Sequence, residues 1–315
     1  MAKTQTELRL KRRPLFPKED LALHVMAAPG LIYLIIWAYL PMLGLIMAFQ
    51  NYNARDGIFG SPLCGLANFR FLFASNDAAI ITRNTVVYNL VFIFVNMLLA
   101  VGLSLMLTEL RSRSYAKVTQ TIFMLPYFLS WAVVAIVVNA FLHRSDGLVN
   151  HFIARMTGRS RPTDWYTVKS IWPPLLVAVN AWKSVGYSAV LYLAVISGIS
   201  DEYYEAAVLD GASRWQQAKY ITIPHLRFII SISIIMAMGN IFRGDFGLFY
   251  NVPMNSGRLY EVTDVIDTYI YRSLRVLNNV GMSTAAGLFQ SAVGFFTLLL
   301  VNQIVRRIDP ESSMF

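Results

Sequence analysis

The chain has 315 residues, of which 56% are hydrophobic and only 14% are charged, and its formal net charge is +9 at pH 7. A soluble domain carries about 25% charged residues, so this composition excludes a soluble globule, and the low charge excludes a disordered chain. Cys64 is the single cysteine, which excludes an internal disulfide framework. The sequence therefore predicts an integral membrane protein.

Uncharged stretches long enough to cross a bilayer recur along the chain, since a crossing needs about 20 apolar helical residues. Four runs contain no Asp, Glu, Lys or Arg: residues 25–54, 84–108, 118–142 and 276–305. Two further runs contain few charged residues: 171–200 contains only Lys183, and 228–257 contains only Arg243 and Asp245. The sequence thus predicts an all-α membrane protein with six transmembrane helices, at about 24–48, 84–108, 118–142, 172–198, 225–246 and 284–305.

Lys and Arg concentrate on one side of these predicted spans. Their density in the N-terminal segment, in the second-to-third and fourth-to-fifth connections and in the tail is about twice that of the other connections. Both termini are therefore predicted to be cytoplasmic. We expect a cytoplasmic segment 1–23, a six-span domain 24–308 and a cytoplasmic tail 309–315. Positive charge beside membrane ends accounts for the net charge, so no nucleic-acid partner is implied.

The connection after the fourth predicted span carries local signals of two short helices. Ser200 precedes an acidic pair and can cap a helix whose first turn is negative. Gly211 follows that helix and can end it, because glycine accepts the left-handed conformation. Ser213 with Gln216 predicts a capping box for the second helix. Pro224 lies where the fifth span is predicted to begin, a position that tolerates proline.

The same connection carries a longer pattern: Glu-Ala-Ala, two residues, Asp-Gly-Ala, eight residues, Ile, two residues and Pro. This pattern resembles the cytoplasmic loop signature of binding-protein-dependent ABC importer permeases. The resemblance implies that residues 200–224 form a coupling helix docked in a groove of the ATPase subunit. The matching residues are Glu205, Ala206, Ala207, Asp210, Gly211, Ala212, Ile221 and Pro224. Ala218 departs from the family, which often has an aromatic residue there.

Other segments extend the resemblance from about residue 25 to the C-terminus. Residues 65–69, Gly-Leu-Ala-Asn-Phe, and the pair Asn84-Thr85 resemble sugar-importer permeases of the maltose type. Residues 264–272 and 281–287 resemble the branch that imports oligosaccharides and polysaccharide fragments, which includes alginate and pectin-fragment importers. From the residues alone, 65–69 is also explained as an interfacial entry to a helix, and 281–287 as a close-packed helix face of small residues.

The resemblance implies the type I ABC importer permease architecture in a bacterial plasma membrane. The expected partners are a second, homologous permease in a heterodimer, two ABC ATPase subunits, an extracytoplasmic solute-binding protein and a saccharide substrate. The chain has no Gly-rich phosphate loop ending in Gly-Lys-Ser or Gly-Lys-Thr, so ATP is expected to bind the partner ATPases. No cofactor of the chain's own is expected.

Two other function classes stay open from the residues. An ion-coupled secondary transporter of a small polar solute would usually place acidic residues within its spans. The predicted spans contain no Glu, and Asp245 lies near an end. An intramembrane enzyme would need a catalytic constellation, and no catalytic or metal-ligating motif is present in the sequence.

Polar residues within the predicted spans mark a candidate substrate path. Lys183 lies about 16 Å into the fourth span at 1.5 Å per residue, close to the midplane. It shares one helical stripe with Asn180 and Tyr187, and Asn240 is expected to share another with Arg243. Two cations along one route favour an acidic oligosaccharide, because a buried carboxylate needs a positive partner. The structural alternatives are hydrogen bonds to neighbouring helices or to the partner permease, and snorkelling by Arg243.

Overall fold

The computed structural model describes residues 21–70, 76–110, 112–158 and 161–308. Residues 1–20 of the predicted N-terminal segment 1–23 lie outside this part of the chain. The predicted tail 309–315 lies outside it entirely.

The described residues are mainly helical and form no β-strand beyond an isolated bridge between Gln50 and Leu63. The helices are α1 (Leu21–Leu34), α2 (Asn76–Thr108), α3 (Arg113–Met124), α4 (Trp131–Leu142), α5 (Leu148–Thr157), α6 (Trp172–Ile196), α7 (Asp201–Leu209), α8 (Arg214–Gln217), α9 (Ile223–Gly239), α10 (Phe246–Asn251), α11 (Ile266–Arg275) and α12 (Val280–Ile308). Short α-helical, 3-10 and π-helical segments lie at Ile35–Tyr39, Leu40–Phe49, Gly57–Gly60, Ala67–Phe69, Leu125–Phe128, Trp165–Thr167, Lys169–Ile171, Ala218–Thr222, Gly257–Leu259 and Tyr260–Thr263.

Four helical stretches are long and apolar enough to cross a membrane: Leu23–Phe49, Asp77–Thr108, Arg214–Gly239 and Val280–Arg307. Two further pairs qualify only together and bend at a short break: Ser114–Phe128 with Trp131–Leu142, by 98°, and Lys169–Ile196 with Asp201–Leu209, by 76°. The described residues therefore hold four to six crossings. The all-α class is confirmed, and the count of six stays a prediction.

The third predicted span, 118–142, is not one continuous helix but a pair of helices joined at a break. After α3 the chain tightens into the 3-10 turn Leu125–Phe128, and α4 then leaves at 98°. Ser130 caps α4 by accepting a hydrogen bond from the N–H of Val133 at 3.3 Å. A run of uncharged residues indicates that a segment has apolar surroundings, but not that its helix is continuous. The composition therefore does not predict the break.

The fifth predicted span differs at both ends. It begins earlier than expected, because α8, the π-helical turn Ala218–Thr222 and α9 form one helical stretch, Arg214–Gly239. The π turn ends two residues before Pro224, whose missing N–H disturbs the regular hydrogen-bond ladder. The helix ends at Gly239 instead of 246, and residues 240–245 run as a non-helical segment before α10.

The packing of α2 against α6 organises the interior. One apolar cluster is built around Trp172 and Leu176, both fully buried, and includes Val134 of α4 and Leu248 of α10. A second cluster includes Tyr192 and other residues of α2, α6 and α9. Both clusters fix the position of α6, the helix that carries the predicted polar stripe.

The segment 65–69 closes the end of the first predicted span. The Asn68 amide donates to the carbonyl oxygens of Ala48, at 3.0 Å, and Gln50, at 2.8 Å. Gly281 at the start of α12 lies against the same amide, where a side chain would overlap Asn68. Two of the segments that carried the family resemblance therefore meet in space, and their contact supports the structural explanation of both.

Candidate functional site

The α7–α8 hairpin has the caps that the sequence predicted. The Ser200 hydroxyl accepts from the N–H of Glu202 at 3.4 Å, and Ser213 with Gln216 forms a complete capping box. Gly211 adopts φ +78° after α7. The N–H of Gly211 donates to the carbonyl of Val208, and the N–H of Ala212 to the carbonyl of Ala207, both at about 3 Å. This pair of hydrogen bonds at a helix end is a Schellman motif, and it sets the angle between α7 and α8.

The predicted coupling residues lie on this hairpin, except Pro224, which lies in the first turn of α9, and most of them are exposed. Glu205, Ala206, Asp210, Gly211 and Pro224 are exposed, and Ala207 is half-buried. The hairpin also exposes two large apolar side chains, Leu209 (89%) and Trp215 (70%). Apolar side chains at a polar helical turn are typical of a surface that a partner protein covers.

Several contacts that the sequence did not predict fasten the hairpin to the spans. The hydroxyls of Tyr204 and Thr222 lie 3.0 Å apart and join α7 to the π turn. Arg214 pairs with Glu109 at the end of α2, at 3.6 Å. A cavity of about 700 Å³ lies between the hairpin, α2 and α6. Such contacts join positions 18 to 105 residues apart, so no local pattern announces them.

The stripe of Asn180, Lys183 and Tyr187 is present on α6. Asn180 is buried and its Oδ1 accepts from the Asn96 amide of α2 at 2.8 Å. Lys183 is only 8% exposed, whereas Tyr187 is 52% exposed. The stripe therefore runs from the packed interior toward an open face of the chain.

Lys183 lies against the break between α3 and α4. Its Nζ donates to the carbonyl oxygens of Leu129 at 2.6 Å, Tyr127 at 2.7 Å and Pro126 at 3.4 Å. An ammonium has three N–H donors, so these contacts use its full capacity. The geometry supports the structural alternative for Lys183, and its meeting with an anionic substrate stays a prediction.

An aromatic shelf, made of Tyr127, Phe128 and Tyr187, borders this break. The rings of Tyr127 and Tyr187 stack with centroids 4.2 Å apart and planes 7° from parallel. Tyr127 is 40% exposed and Phe128 is 72% exposed, so the shelf is open on one side. A flat aromatic surface with phenol hydroxyls is suited to stacking and hydrogen bonding with sugar rings.

The prediction that Asn240 and Arg243 share a helical stripe is wrong. Asn240 caps the end of α9, and Arg243 lies in the non-helical segment 240–245 with an exposed side chain. The Asn240 amide donates back to the carbonyl of Met236 at 3.1 Å. The two residues are therefore near each other, but a helix does not set their directions.

Side chains of other helices satisfy the backbone of segment 240–245. Asn89 of α2 donates to the carbonyls of Ile241 and Arg243, at 2.8 and 2.9 Å, and Gln290 of α12 donates to that of Phe242 at 2.7 Å. The N–H of Gly244 donates to the carboxylate of Asp267. Burial raises the pKa of this carboxyl above its ordinary range, against the lowering effect of its hydrogen bonds from Gly244 and Gln290.

The two irregular segments, 125–130 and 240–245, are joined. Trp131 at the start of α4 donates its indole N–H to Asp245 at 2.9 Å. Asp245 also caps α10 by accepting from the N–H of Leu248 at 3.2 Å. Non-helical backbone at membrane depth requires such internal partners. The roles of five residues could not be predicted from the sequence, because they depend on contacts far apart in the chain: Tyr127, Trp131, Asn89, Asp267 and Gln290.

The pair Asn84-Thr85 begins a polar face of α2 that binds the segment before α11. Asn84 donates to the carbonyl of Asp264 at 3.0 Å, Thr85 accepts from the N–H of Ile266 at 3.0 Å, and Tyr88 donates to the carbonyl of Val262 at 2.7 Å. Nearby, a hydrogen bond from Lys169 holds the pKa of Glu261 below its usual range. In the part of the chain that the structure describes, no group of His, Cys, Asp and Glu side chains is placed to hold a metal ion.

Comparison with protein families and curated proteins gives consistent results. Residues 97–310 match the family described as "Binding-protein-dependent transport system inner membrane component". Protein LplB of Bacillus subtilis is 32% identical over 301 residues, which cover 93% of this chain and 91% of LplB. The polygalacturonan/rhamnogalacturonan transport system permease protein YteP of the same organism is 31% identical over 289 residues, or 92% of this chain and 89% of YteP.

Solved structures are similar over nearly the full length. A chain of a bacterial ABC transporter involved in the import of the acidic polysaccharide alginate has 32% sequence identity and a TM-score of 0.84, covering 93% of this chain and 97% of that one. A chain of the bacterial alginate ABC transporter in complex with an alginate pentasaccharide-bound periplasmic protein has 33% identity and a TM-score of 0.82, covering 92% and 96%.

Proposed function

Because the chain belongs to the family of binding-protein-dependent transport system inner membrane components, we propose that it passes an acidic oligosaccharide from a solute-binding protein to the cytoplasm. It is a permease of an ABC importer for sugars or oligosaccharides. The observation that carries the proposal is the structural match over 93% of the chain, with a TM-score of 0.84, to an alginate importer. A match over most of the chain to an ABC importer supports this transport role over the ion-coupled alternative.

The α7–α8 hairpin is the part that binds the ATPase subunit. Its exposed motif residues, Glu205 to Gly211, surround the apolar side chain of Leu209, and Trp215 projects from the second arm. An apolar anchor within a polar rim is the usual composition of a specific protein interface. ATP is hydrolysed by two such partner subunits. Movement of the hairpin changes the side of the membrane to which the transport path opens.

A second, homologous permease completes the path. The helix of the first predicted span leaves almost all of its large apolar side chains exposed, so lipid and a partner permease share this surface. The shelf of Tyr127, Phe128 and Tyr187 is also exposed, on a surface that a partner permease would cover. A path between two permeases would place these rings along the route of the sugar, together with the predicted path residues Asn180, Asn240 and Arg243.

The acidic character of the substrate rests on the similar proteins and on one cation. YteP is a permease for polygalacturonan and rhamnogalacturonan, and the two solved structures belong to transporters of alginate, an acidic polysaccharide. In this chain the Lys183 ammonium is occupied by carbonyls, whereas the Arg243 guanidinium is exposed. Arg243 is therefore the residue that meets a uronate carboxylate.

The test of this function is uptake into liposomes that contain the purified importer complex, with its solute-binding protein outside. We expect a fluorescent uronate pentasaccharide to accumulate only when ATP is enclosed, and dissipation of ion gradients to leave the rate unchanged. Uptake that follows an ion gradient and ignores ATP would establish the secondary transporter instead. Chemical conversion of the sugar by the chain alone would establish an enzyme.

Arg243 gives a sharper prediction about charge. In Arg243→Gln, the half-saturating concentration of the acidic pentasaccharide should rise about tenfold, since a charge-assisted hydrogen bond contributes about 1.5–3 kcal/mol. Uptake of a neutral oligosaccharide of equal length should not change. Arg258→Gln is the matched control, because Arg258 is also an exposed arginine but lies in the turn Gly257–Leu259, outside the segment 240–245. Equal effects of the two variants, or equal effects on both sugars, would remove Arg243 from the recognition of charge.

A further inference from the structure

We propose that Lys183 is a positioning residue that holds the helix break at residues 125–130 and thereby sets the place of the Tyr127 ring in the transport path. The proposal rests on the proposed function, since it assigns a role within that path. It also replaces the interpretation of Lys183 as a cation for the substrate. Its basis is a set of contacts to the backbone of one turn and to the rings beside it.

The break needs a donor that its own backbone does not supply. Where α3 ends in the turn Leu125–Phe128, the Pro126 carbonyl accepts from the N–H of Leu129, and the carbonyls of Tyr127 and Leu129 are left to a donor from elsewhere. The ammonium of Lys183 lies at 2.6 and 2.7 Å from the carbonyls of Leu129 and Tyr127. A positive charge at a helix C-terminus is also favoured by the helix dipole. Lys183 of α6 therefore supplies hydrogen-bond donors to the carbonyls that follow α3.

The groups around the Lys183 ammonium are backbone carbonyls and aromatic rings, which favours a role in holding these groups in place. The ammonium lies 5.4 Å from the ring centroid of Tyr127 and 5.2 Å from that of Trp131, within cation–π distance of both. Within the described ranges, Lys183 forms no ion pair with a carboxylate. The Asp245 carboxylate accepts the indole N–H of Trp131 and attracts the Lys183 ammonium only electrostatically, at longer range. The charge is thus stabilised locally without a substrate anion.

Lys183 and Tyr187 hold Tyr127 at two points. They lie four residues apart on α6 and so share one face. Lys183 binds the carbonyl oxygen of Tyr127, and Tyr187 stacks on its ring at 4.2 Å. If the backbone at Tyr127 were released, the ring would lose its parallel position on Tyr187. Loss of the lysine should therefore affect recognition of the sugar through Tyr127, whatever the charge of the sugar.

The experiment is a double-mutant cycle on uptake by the reconstituted complex. Lys183→Met should raise the half-saturating concentration about tenfold for an acidic and a neutral oligosaccharide alike. In a Tyr127→Ala background, the same change should add less than about twofold, because the residue through which it acts is gone. Lys183→Gln retains two N–H donors without charge, so it should lie between wild type and Lys183→Met for both sugars.

Controls separate this role from general damage. Lys117→Met changes an exposed lysine of α3 and should behave as wild type. Assembly of each variant is measured by gel filtration of the complex. If Lys183→Met does not assemble, Lys183→Gln and Lys183→Arg carry the comparison between the two sugars. Additive effects in the cycle, selective loss of the acidic sugar, or wild-type uptake by Lys183→Met would each overturn the proposal.

The wild-type protein in the same experiment tests the proposed function separately. If wild type takes up neither sugar, the proposed function fails before any variant is compared. If wild type transports and the Lys183 variants show additive or charge-selective effects, the function stands and only the positioning role fails.

Discussion

Gly211→Val is expected to abolish ATP-driven uptake while the chain still inserts into the membrane. Gly211 has φ +78°, and a β-branched residue there costs about 1–3 kcal/mol of local strain. A cost of this size shifts the native hairpin population by about five- to 150-fold. Since the Schellman turn sets the angle between α7 and α8, the exposed motif would no longer present one surface to the ATPase.

Gly158→Val is the control for Gly211→Val. Gly158 ends α5 with φ +68° and has open space around its Cα, so the backbone cost is matched. It lies in the connection between the third and fourth predicted spans, away from the α7–α8 hairpin. The measurements are co-purification of the ATPase and hydrolysis stimulated by the loaded binding protein. Wild-type values for Gly211→Val, or an equal loss in both variants, would remove the hairpin from ATPase coupling.

Gly186→Val is expected to prevent assembly of a stable permease. Gly186 is buried on α6, and a Cβ there would overlap the backbone carbonyl of Phe123 on α3. Overpacking of a core costs about 1–3 kcal/mol when side chains can yield, and a backbone in contact has less freedom to move. The close approach of α3 to α6 also brings the break within reach of Lys183, so the variant should lose that contact too.

The measurement for Gly186→Val is the yield of monodisperse complex in detergent and its thermal midpoint. Gly287→Val, in the long helix α12, is the matched control, because no atom lies within 4 Å of a Cβ added there. We expect normal yield for Gly287→Val and a yield reduced about tenfold or more for Gly186→Val. A normal midpoint for Gly186→Val would show that α3 and α6 separate at little cost.

Features with local causes could be predicted from the sequence. The hairpin after Ser200 was predicted with both of its caps and its glycine turn, because capping depends on residues within one helical turn. The all-α membrane class followed from long uncharged runs. The permease family followed from a gapped motif, and the comparisons confirm it.

Features with distant causes could not be predicted. The carbonyls at the α3–α4 break are satisfied by Lys183, more than 50 residues away, and segment 240–245 by Asn89 and Gln290. Nothing in residues 118–142 or 225–246 shows that such donors exist, so both runs looked like plain helices. For the same reason Lys183 suggested a substrate cation, when its nearest acceptors were carbonyls of its own chain.

During biosynthesis, the third and fourth predicted spans have to enter the bilayer as a pair. The carbonyls of Leu129 and Tyr127 are synthesised 54 and 56 residues before Lys183. Alone in hydrocarbon, an unsatisfied backbone group costs several kcal/mol, and a lysine at the centre of a lone helix costs about 3 kcal/mol on insertion scales. Each segment is a poor membrane helix by itself and removes the penalty of the other. We therefore expect residues 113–142 and α6 to enter the bilayer together.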